Sequence, residues 1–330
     1  MTNIRPIVVT GGFGFLGQHL VRSLTRRGLP VRPLGRKHGD LREAKVAETL
    51  VEGADIIVHL AADVGGVGYL KGCPGRAFHD NLLLGLNVIR AASRGGAKRL
   101  ILAGTPCSYA SSAELPLTEA ALLRGVPSGD TGTYGYAKLA TSLTAAAFCE
   151  DTPTDTVTVI PSNLYGPGDS FDEDHGHVVA ALLRKAILAA EYGESTFEVW
   201  GDGSATRDFV YVSDVAEGIA AVVQHDEPFL GAMFNLGSDR ETSIGEIATV
   251  IATAVGSGLS PTFLADKPVG YVRRVMSSRE AFDQFGYTAN TGLLQGLRKT
   301  IAWLHKSGHV AKWRAAANRT HRQITSRRAG

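Results

Sequence analysis

The stretch Ile7-Val8-Val9-Thr10-Gly11-Gly12-Phe13-Gly14-Phe15-Leu16-Gly17 decides how this chain is read. A short apolar run passes directly into Gly12-x-Gly14-x-x-Gly17. Glycines at this spacing let a chain leave a strand, turn sharply and open a helix. They also remove the Cβ atoms that would keep a pyrophosphate away from the backbone. The free N–H groups and positive dipole end of the following helix favour an anion there. The stretch therefore predicts the first strand and helix of a dinucleotide-binding domain.

Outward from it, apolar strands alternate with amphipathic helices. Strands are predicted over 6–10, 30–34, 55–61, 99–103 and 156–161, and helices over 14–27, 76–92 and 134–150. The strands are continuous Val/Ile/Leu runs, as expected when both faces of a parallel sheet are covered. The predicted fold class is α/β, a doubly wound parallel Rossmann sheet with a smaller, interleaved α/β substrate domain. After Pro161 the rhythm loosens. A loop at Gly166–Asp169 precedes a helix from about His177, and Asp208–Val212 reads as a further strand of the main sheet. Ser243-x-x-Glu246 is a capping box. The expected division is 1–163 and 208–238 for the dinucleotide domain, 164–207 and 239–306 for the substrate domain, and 307–330 for a basic tail.

Composition sets limits. Hydrophobic residues make up 44% of the 330 and charged ones 20%, which suits packed domains rather than a disordered chain. No apolar run approaches the ~18 residues of a membrane helix, and no signal peptide is visible, so a cytoplasmic location without membrane partners is expected. Cys73, Cys107 and Cys149 have no close spacing, which favours reduced thiols, and no metal ligand set is expected. From Lys306 onward there are seven Lys/Arg and no acid, while the rest holds 27 bases against 32 acids. A solvated terminal segment is the simpler reading of that tail than a nucleic-acid contact.

Tyr134-Gly135-Tyr136-Ala137-Lys138 places a phenol and an ammonium one helical turn apart, on one face. No other tyrosine has lysine four residues on. A nearby cation is expected to lower the phenol pKa, so that Tyr134 trades a proton with a substrate oxygen while hydride moves at carbon. At the end of the second strand, Arg36 and Lys37 precede the first acid, Asp40. Cations there suit a ribose 2′-phosphate, so NADP(H) is favoured, with NAD(H) as the alternative.

With Thr10–Gly17, His59–Ala62, Asn81, Tyr134–Lys138 and Pro161–Pro167, the chain resembles the extended short-chain dehydrogenases/reductases over nearly its whole length. Within them, 62–66, 104–109, 176–185 and 199–209 look like the GDP-L-fucose synthases, which epimerise and reduce a GDP-linked 4-keto-6-deoxy sugar. The resemblance implies that Thr105 hydrogen-bonds the reacting C4 oxygen, with Tyr134 and Lys138 as its catalytic partners. It makes Cys107 and His177 an acid/base pair inverting carbons 3 and 5. Inversion needs a proton taken on one face and returned on the other, and a thiol and an imidazole both titrate near neutral pH.

The resemblance further implies a cofactor site of Gly11, Gly12, Phe13, Gly14, Phe15, Leu16, Gly17, Arg36, Lys37, Asp40, Leu41, Leu60, Ala61, Ala62, Lys138, Pro161, Asn163, Leu164 and His177. A nucleotide-sugar site would use Val64, Gly65, Asn163, Lys185, Trp200, Arg207 and Arg274, with Arg207 on the diphosphate. It also implies a homodimer through a four-helix bundle, for which Leu82, Leu83, Leu84, Leu86, Val88 and Ile89 supply apolar surface. Thr105-Pro106, Lys185 and the run Lys267–Arg274 depart from the usual pattern, the last two in the substrate half. A 4-ketoreductase or single-centre epimerase or dehydratase on another nucleotide sugar is the alternative, and a non-catalytic dinucleotide-binding regulator is a third.

Overall fold

A computed structural model describes residues 5–172, 176–256, 258–267 and 272–315. The chain begins β1 (Ile7–Thr10), α1 (Phe15–Arg26), β2 (Val31–Leu34), α2 (Ala44–Val51), β3 (Ile56–His59), α3 (Val67–Gly72) and α4 (Pro74–Arg94). It continues β4 (Arg99–Ala103), α5 (Gly132–Asp151), β5 (Asp155–Pro161), β6 (Asn163–Tyr165), α6 (Val178–Glu191), β7 (Thr196–Trp200), β8 (Thr206–Tyr211) and α7 (Val212–Gln224). Then come β9 (Met233–Leu236), β10 (Glu241–Ser243), α8 (Ile244–Val255), β11 (Ser260–Leu264), β12 (Arg273–Arg274), α9 (Arg279–Phe285) and α10 (Leu293–Lys306).

Two compact units emerge. The first takes Met1–Leu164, Asp208–Glu241 and Arg274–Asn290; the second takes Tyr165–Arg207, Thr242–Arg273 and the chain from Thr291 onward. The sequence reading ran the second unit unbroken from 239 to 306, whereas 274–290 with α9 belongs to the first. Part of the expected basic tail, residues 316–330, lies outside the described residues, as do 268–271 of the divergent run.

The first unit is built on a parallel sheet of order β2-β1-β3-β4-β5-β9. Its period of two distributes the apolar side chains to both faces. Val9, Val58, Ile101 and Val159 meet Leu20 and Leu24 of α1 and Val215 and Ile219 of α7. Val8, Ile57, Leu100 and Leu102 meet Val51 of α2, Val88 and Ile89 of α4 and Ala145 of α5. A Cβ on Gly85 of α4 would lie 1.8 Å from Thr141 Cγ2 of α5, so a glycine is what lets these two helices close on each other.

The strand read over Asp208–Val212 is β8, and it is not part of this sheet. It pairs with β6, β10 and β12, and β9 takes the sixth position instead. Asp208 explains the difference. Its carboxylate accepts from Ser238 N (2.9 Å) and Oγ (2.6 Å), and its carbonyl accepts from Ser162 Oγ and Asn163 Nδ2 at 2.9 Å each. Those bonds turn this end of β8 toward the chain segments that leave the main sheet.

In the second unit, β7 and β11 pair in parallel. Ser243 caps α8, its Oγ accepting from Glu246 N at 2.9 Å, which is the serine half of the expected capping box. Among the described residues no helix is long and apolar enough to cross a membrane.

Candidate active site

Strand order reverses between β2-β1 and β3-β4, which makes the carboxyl ends of β1 and β3 the switch point of the sheet. Gly11 sits there at φ +70°. A Cβ on it would lie 2.8 Å from Ala61 N, and one on Gly17 would lie 2.0 Å from Gly11 O. Gly12 N donates to Leu34 O (2.9 Å) and Gly14 N to Gly11 O (2.9 Å), closing the turn. Gly14, the N-cap of α1, has no side-chain cap, and the first turn holds no acid. A cradle without Cβ atoms, opening onto unspent helix N–H groups, fits a dinucleotide pyrophosphate.

Beyond the cradle, Phe13 is 56% exposed. The His38 ring stacks on it at 5.7 Å with 7° between planes, and Lys37 Nζ lies 4.9 Å from its centroid. Arg36 is exposed on the same turn. Asp40 is held by Arg42, whose Nε donates to both carboxylate oxygens at 3.0 Å and whose hydrogen bonds keep the carboxyl below its usual pKa. Leu41 is buried in the core, and Phe15, Leu16, Leu60, Ala61 and Ala62 are half-buried or exposed around the switch point.

Beneath the cradle is a pair that the sequence reading did not single out. Thr10 Oγ1 and His59 Nδ1 are 2.7 Å apart, joining the ends of β1 and β3. Burial, and secondarily the positive Lys138, push the His59 pKa down to about 3, so this imidazole is neutral. The signal was present in His59-Leu60-Ala61-Ala62, but nothing in a sequence shows which residue will face Thr10.

After β4, Thr105 caps a short turn, its Oγ1 accepting from Cys107 N at 3.3 Å. That turn rides on α5. A Cβ on Gly135 would come within 2.0 Å of Cys107 O, and Ser108 Oγ donates to Gly135 O at 2.9 Å. The glycine beside Tyr134 thus brings Thr105, Cys107 and Tyr134 into one corner. Cys107 packs against a small cluster of Tyr134, Leu70 and Ala77, with Tyr69 alongside. Arg274 braces the same turn, Nη2 donating to Pro106 O (2.5 Å) and Tyr109 O (2.9 Å), so this arginine is engaged with backbone in the first unit.

Tyr134 and Lys138 are each 7% exposed. The expected lowering of the phenol is not found. Burial raises the Tyr134 pKa, and the Cys107 thiol beside it adds to the rise. Lys138 is itself desolvated and drops to about 8. In this dry corner the cost of forming a phenolate decides the direction. Tyr134 is therefore a neutral phenol, the form that donates a proton.

The loop after β3 carries Val64, exposed, and Gly65, and is pinned by Asn81. Asn81 Oδ1 accepts from Asp63 N (3.0 Å) and its Nδ2 donates to Asp63 O (2.8 Å). Pro161 ends β5, Leu164 packs on the core, and Asn163 is fixed on Asp208 O.

In the second unit, His177 is the N-cap of α6, and its Nδ1 lies 2.9 Å from Asp169 Oδ1. That hydrogen bond raises the His177 pKa. Asp169 was missed in the sequence, where it reads as a loop residue of Gly166-Pro167-Gly168-Asp169. Lys185 Nζ donates to Glu198 O (3.3 Å) and lies 5.4 Å from the centroid of Trp200, whose ring is 53% exposed. Arg207 Nη1 donates to Thr206 O at 2.7 Å.

Residues 7–237 match the model of the NAD dependent epimerase/dehydratase family. A GDP-L-fucose synthase of Sinorhizobium fredii is 33% identical over 90% of this chain and 94% of its own length. A GDP-L-colitose synthase of Yersinia pseudotuberculosis is 31% identical over 90% and 97%. Among solved structures, a GDP-L-fucose synthetase of Naegleria fowleri bound to NADP superposes with a TM-score of 0.82 at 27% identity, covering 94% of this chain and 95% of the other.

Proposed function

The chain belongs to the NAD dependent epimerase/dehydratase family and is a nucleotide-sugar oxidoreductase/epimerase; from that premise we propose that it is an NADPH-dependent epimerase-reductase of a GDP-linked 4-keto-6-deoxy sugar. The observation that carries this reading is the close seating of the Thr105–Cys107 turn on α5 at Gly135. It puts a hydroxyl, a thiol and a neutral phenol in one corner. A simple ketoreductase has no need of the thiol.

Reduction at C4 needs hydride at carbon and a proton at oxygen. Bound NADPH supplies the hydride. Thr105 hydrogen-bonds the C4 oxygen and Tyr134 delivers the proton, leaving a phenolate that Lys138 stabilises as an ammonium. Epimerisation precedes this step. A C–H bond next to the ketone breaks, its electron pair moves into an enolate on the C4 oxygen, and the carbon regains a proton on the opposite face. Cys107 and His177 form the pair that removes and returns those protons. Trp200, Lys185 and Arg207 hold the nucleotide diphosphate. The direct test is incubation of GDP-4-keto-6-deoxy-D-mannose with NADPH, the product's configuration at C3, C4 and C5 being read by NMR. Retention at both C3 and C5 would reduce the protein to a ketoreductase.

Arg36 and Lys37 favour NADPH over NADH through the 2′-phosphate. One hydrogen bond to a charged group is worth about 1.5–3 kcal/mol, so Arg36→Ala is expected to weaken NADPH at least tenfold and NADH hardly at all. Fluorescence titration of both cofactors checks this, and a parent enzyme that binds NADH as well as NADPH overturns it.

We further propose a homodimer through α4 and α5. Tyr136 and Leu143 are 38% and 40% exposed on α5, and Leu82, Leu83 and Leu86 are half-buried on α4. Light scattering should give twice the 34.9 kDa of one chain, and the single-chain mass at micromolar concentration contradicts the pairing.

A further inference from the structure

Asp169 carries chemistry that the reading above does not use. Its side chain is 2% exposed while that of His177 is 51% exposed. Asp169 Oδ1 accepts from Ser170 N at 2.7 Å and meets His177 Nδ1 at 2.9 Å, but Oδ2 is buried with no hydrogen-bond partner among the described residues. A carboxylate removed from water is costly unless a cation compensates it. Among the described residues, His177 is the one cation-capable side chain that Asp169 touches. The two form a unit in which a buried acid has an exposed imidazole as its counter-charge.

From this arrangement we infer that Asp169 is a positioning residue for His177, fixing the ring by Nδ1 so that Nε2 is the edge that passes a proton to or from the sugar. His177 is the N-cap of α6, where the helix dipole disfavours a positive charge. The carboxylate opposes that effect, and its hydrogen bond is the largest cause of the raised His177 pKa, ahead of burial, which acts the other way. Asp172 stands on the same loop, and Glu173, Asp174 and His175 lie outside the described residues. The same logic makes a carboxylate orient an imidazole in hydrolase triads: one ring nitrogen is tied so the other can work.

This inference rests on the epimerase reading, and the experiment separates the two. Nitrogen-15 NMR of His177 in the full chain, without sugar, follows its titration in the parent, in Asp169→Asn and in Asp169→Glu. The midpoint is expected to fall by about one unit or more in Asp169→Asn and to recover in part in Asp169→Glu, with near-parental thermal unfolding. Deuterium wash-in from solvent into the bound ketosugar should then fall at least tenfold in Asp169→Asn, with a smaller loss in hydride transfer to an already epimerised ketosugar. An unchanged His177 midpoint, or wash-in at the parental rate, overturns the role of Asp169. No wash-in by the parent itself would instead remove the epimerase reading. If Asp169→Asn fails to fold, Asp169→Glu decides: a carboxylate at that position that leaves His177 titrating like a free histidine overturns the inference.

Discussion

Replacing Tyr134 by phenylalanine should slow reduction of the ketosugar by ~10²–10⁴-fold, the usual contribution of a positioned proton donor. NADPH should bind with nearly the parental affinity. The two side chains differ by one hydroxyl, and the ring lies in a packed corner beside Leu70 and Ala77, so the substitution leaves the shape of the site intact. In the proposed mechanism, what disappears is the proton that the C4 oxygen must receive as hydride arrives. Because burial holds Tyr134 protonated, the loss should be felt across the neutral pH range, where the parent has its phenol fully available. Stopped-flow absorbance of NADPH gives the rate and fluorescence titration gives the affinity. Turnover near the parental value would remove Tyr134 from the chemistry.

The second large effect concerns the thiol and the imidazole. Cys107→Ser and His177→Gln should each lower solvent deuterium exchange at C3 or C5 by ~10²-fold or more. Reduction of an already epimerised ketosugar should suffer much less, because in the proposed mechanism its proton comes from Tyr134. With an unepimerised sugar, either variant should stall or give a product without inversion, visible by NMR. Cys107 is suited to this test. It is free and half-buried, and its neighbourhood is set by the backbone seating of the turn at Gly135 rather than by the sulfur. Parental exchange in both variants would make the pair structural and leave a ketoreductase.

Much of this was visible in the sequence, for reasons that differ by residue. The first five strands of the main sheet were legible because burial on both faces favours apolar runs, whereas β9 was not read, and Gly11 to Gly17 were legible because only glycine tolerates those approaches. Tyr134 and Lys138 were legible because helical spacing puts them on one face. Other features were not. The place of β8 depends on side chains such as Ser162 and Ser238, distant along the chain, that converge on Asp208. The direction of the Tyr134 pKa depends on desolvation, which spacing does not report. Asp169 depends on a loop folding back on the start of α6, and an aspartate in a glycine-rich loop looks like any turn residue.

The division of the chain also has a genetic meaning. Each unit is assembled from three separate stretches of sequence. No single recombination point can exchange one unit for another, and no truncated gene can express either alone. Divergence toward a new sugar would therefore proceed by substitutions and small insertions within existing segments rather than by swapping a module. The departures at Lys185 and at 267–274 have that character. Under the proposed function, changes there would re-tune recognition of the sugar while Thr10–Gly17 and Tyr134–Lys138 stay under their own constraints.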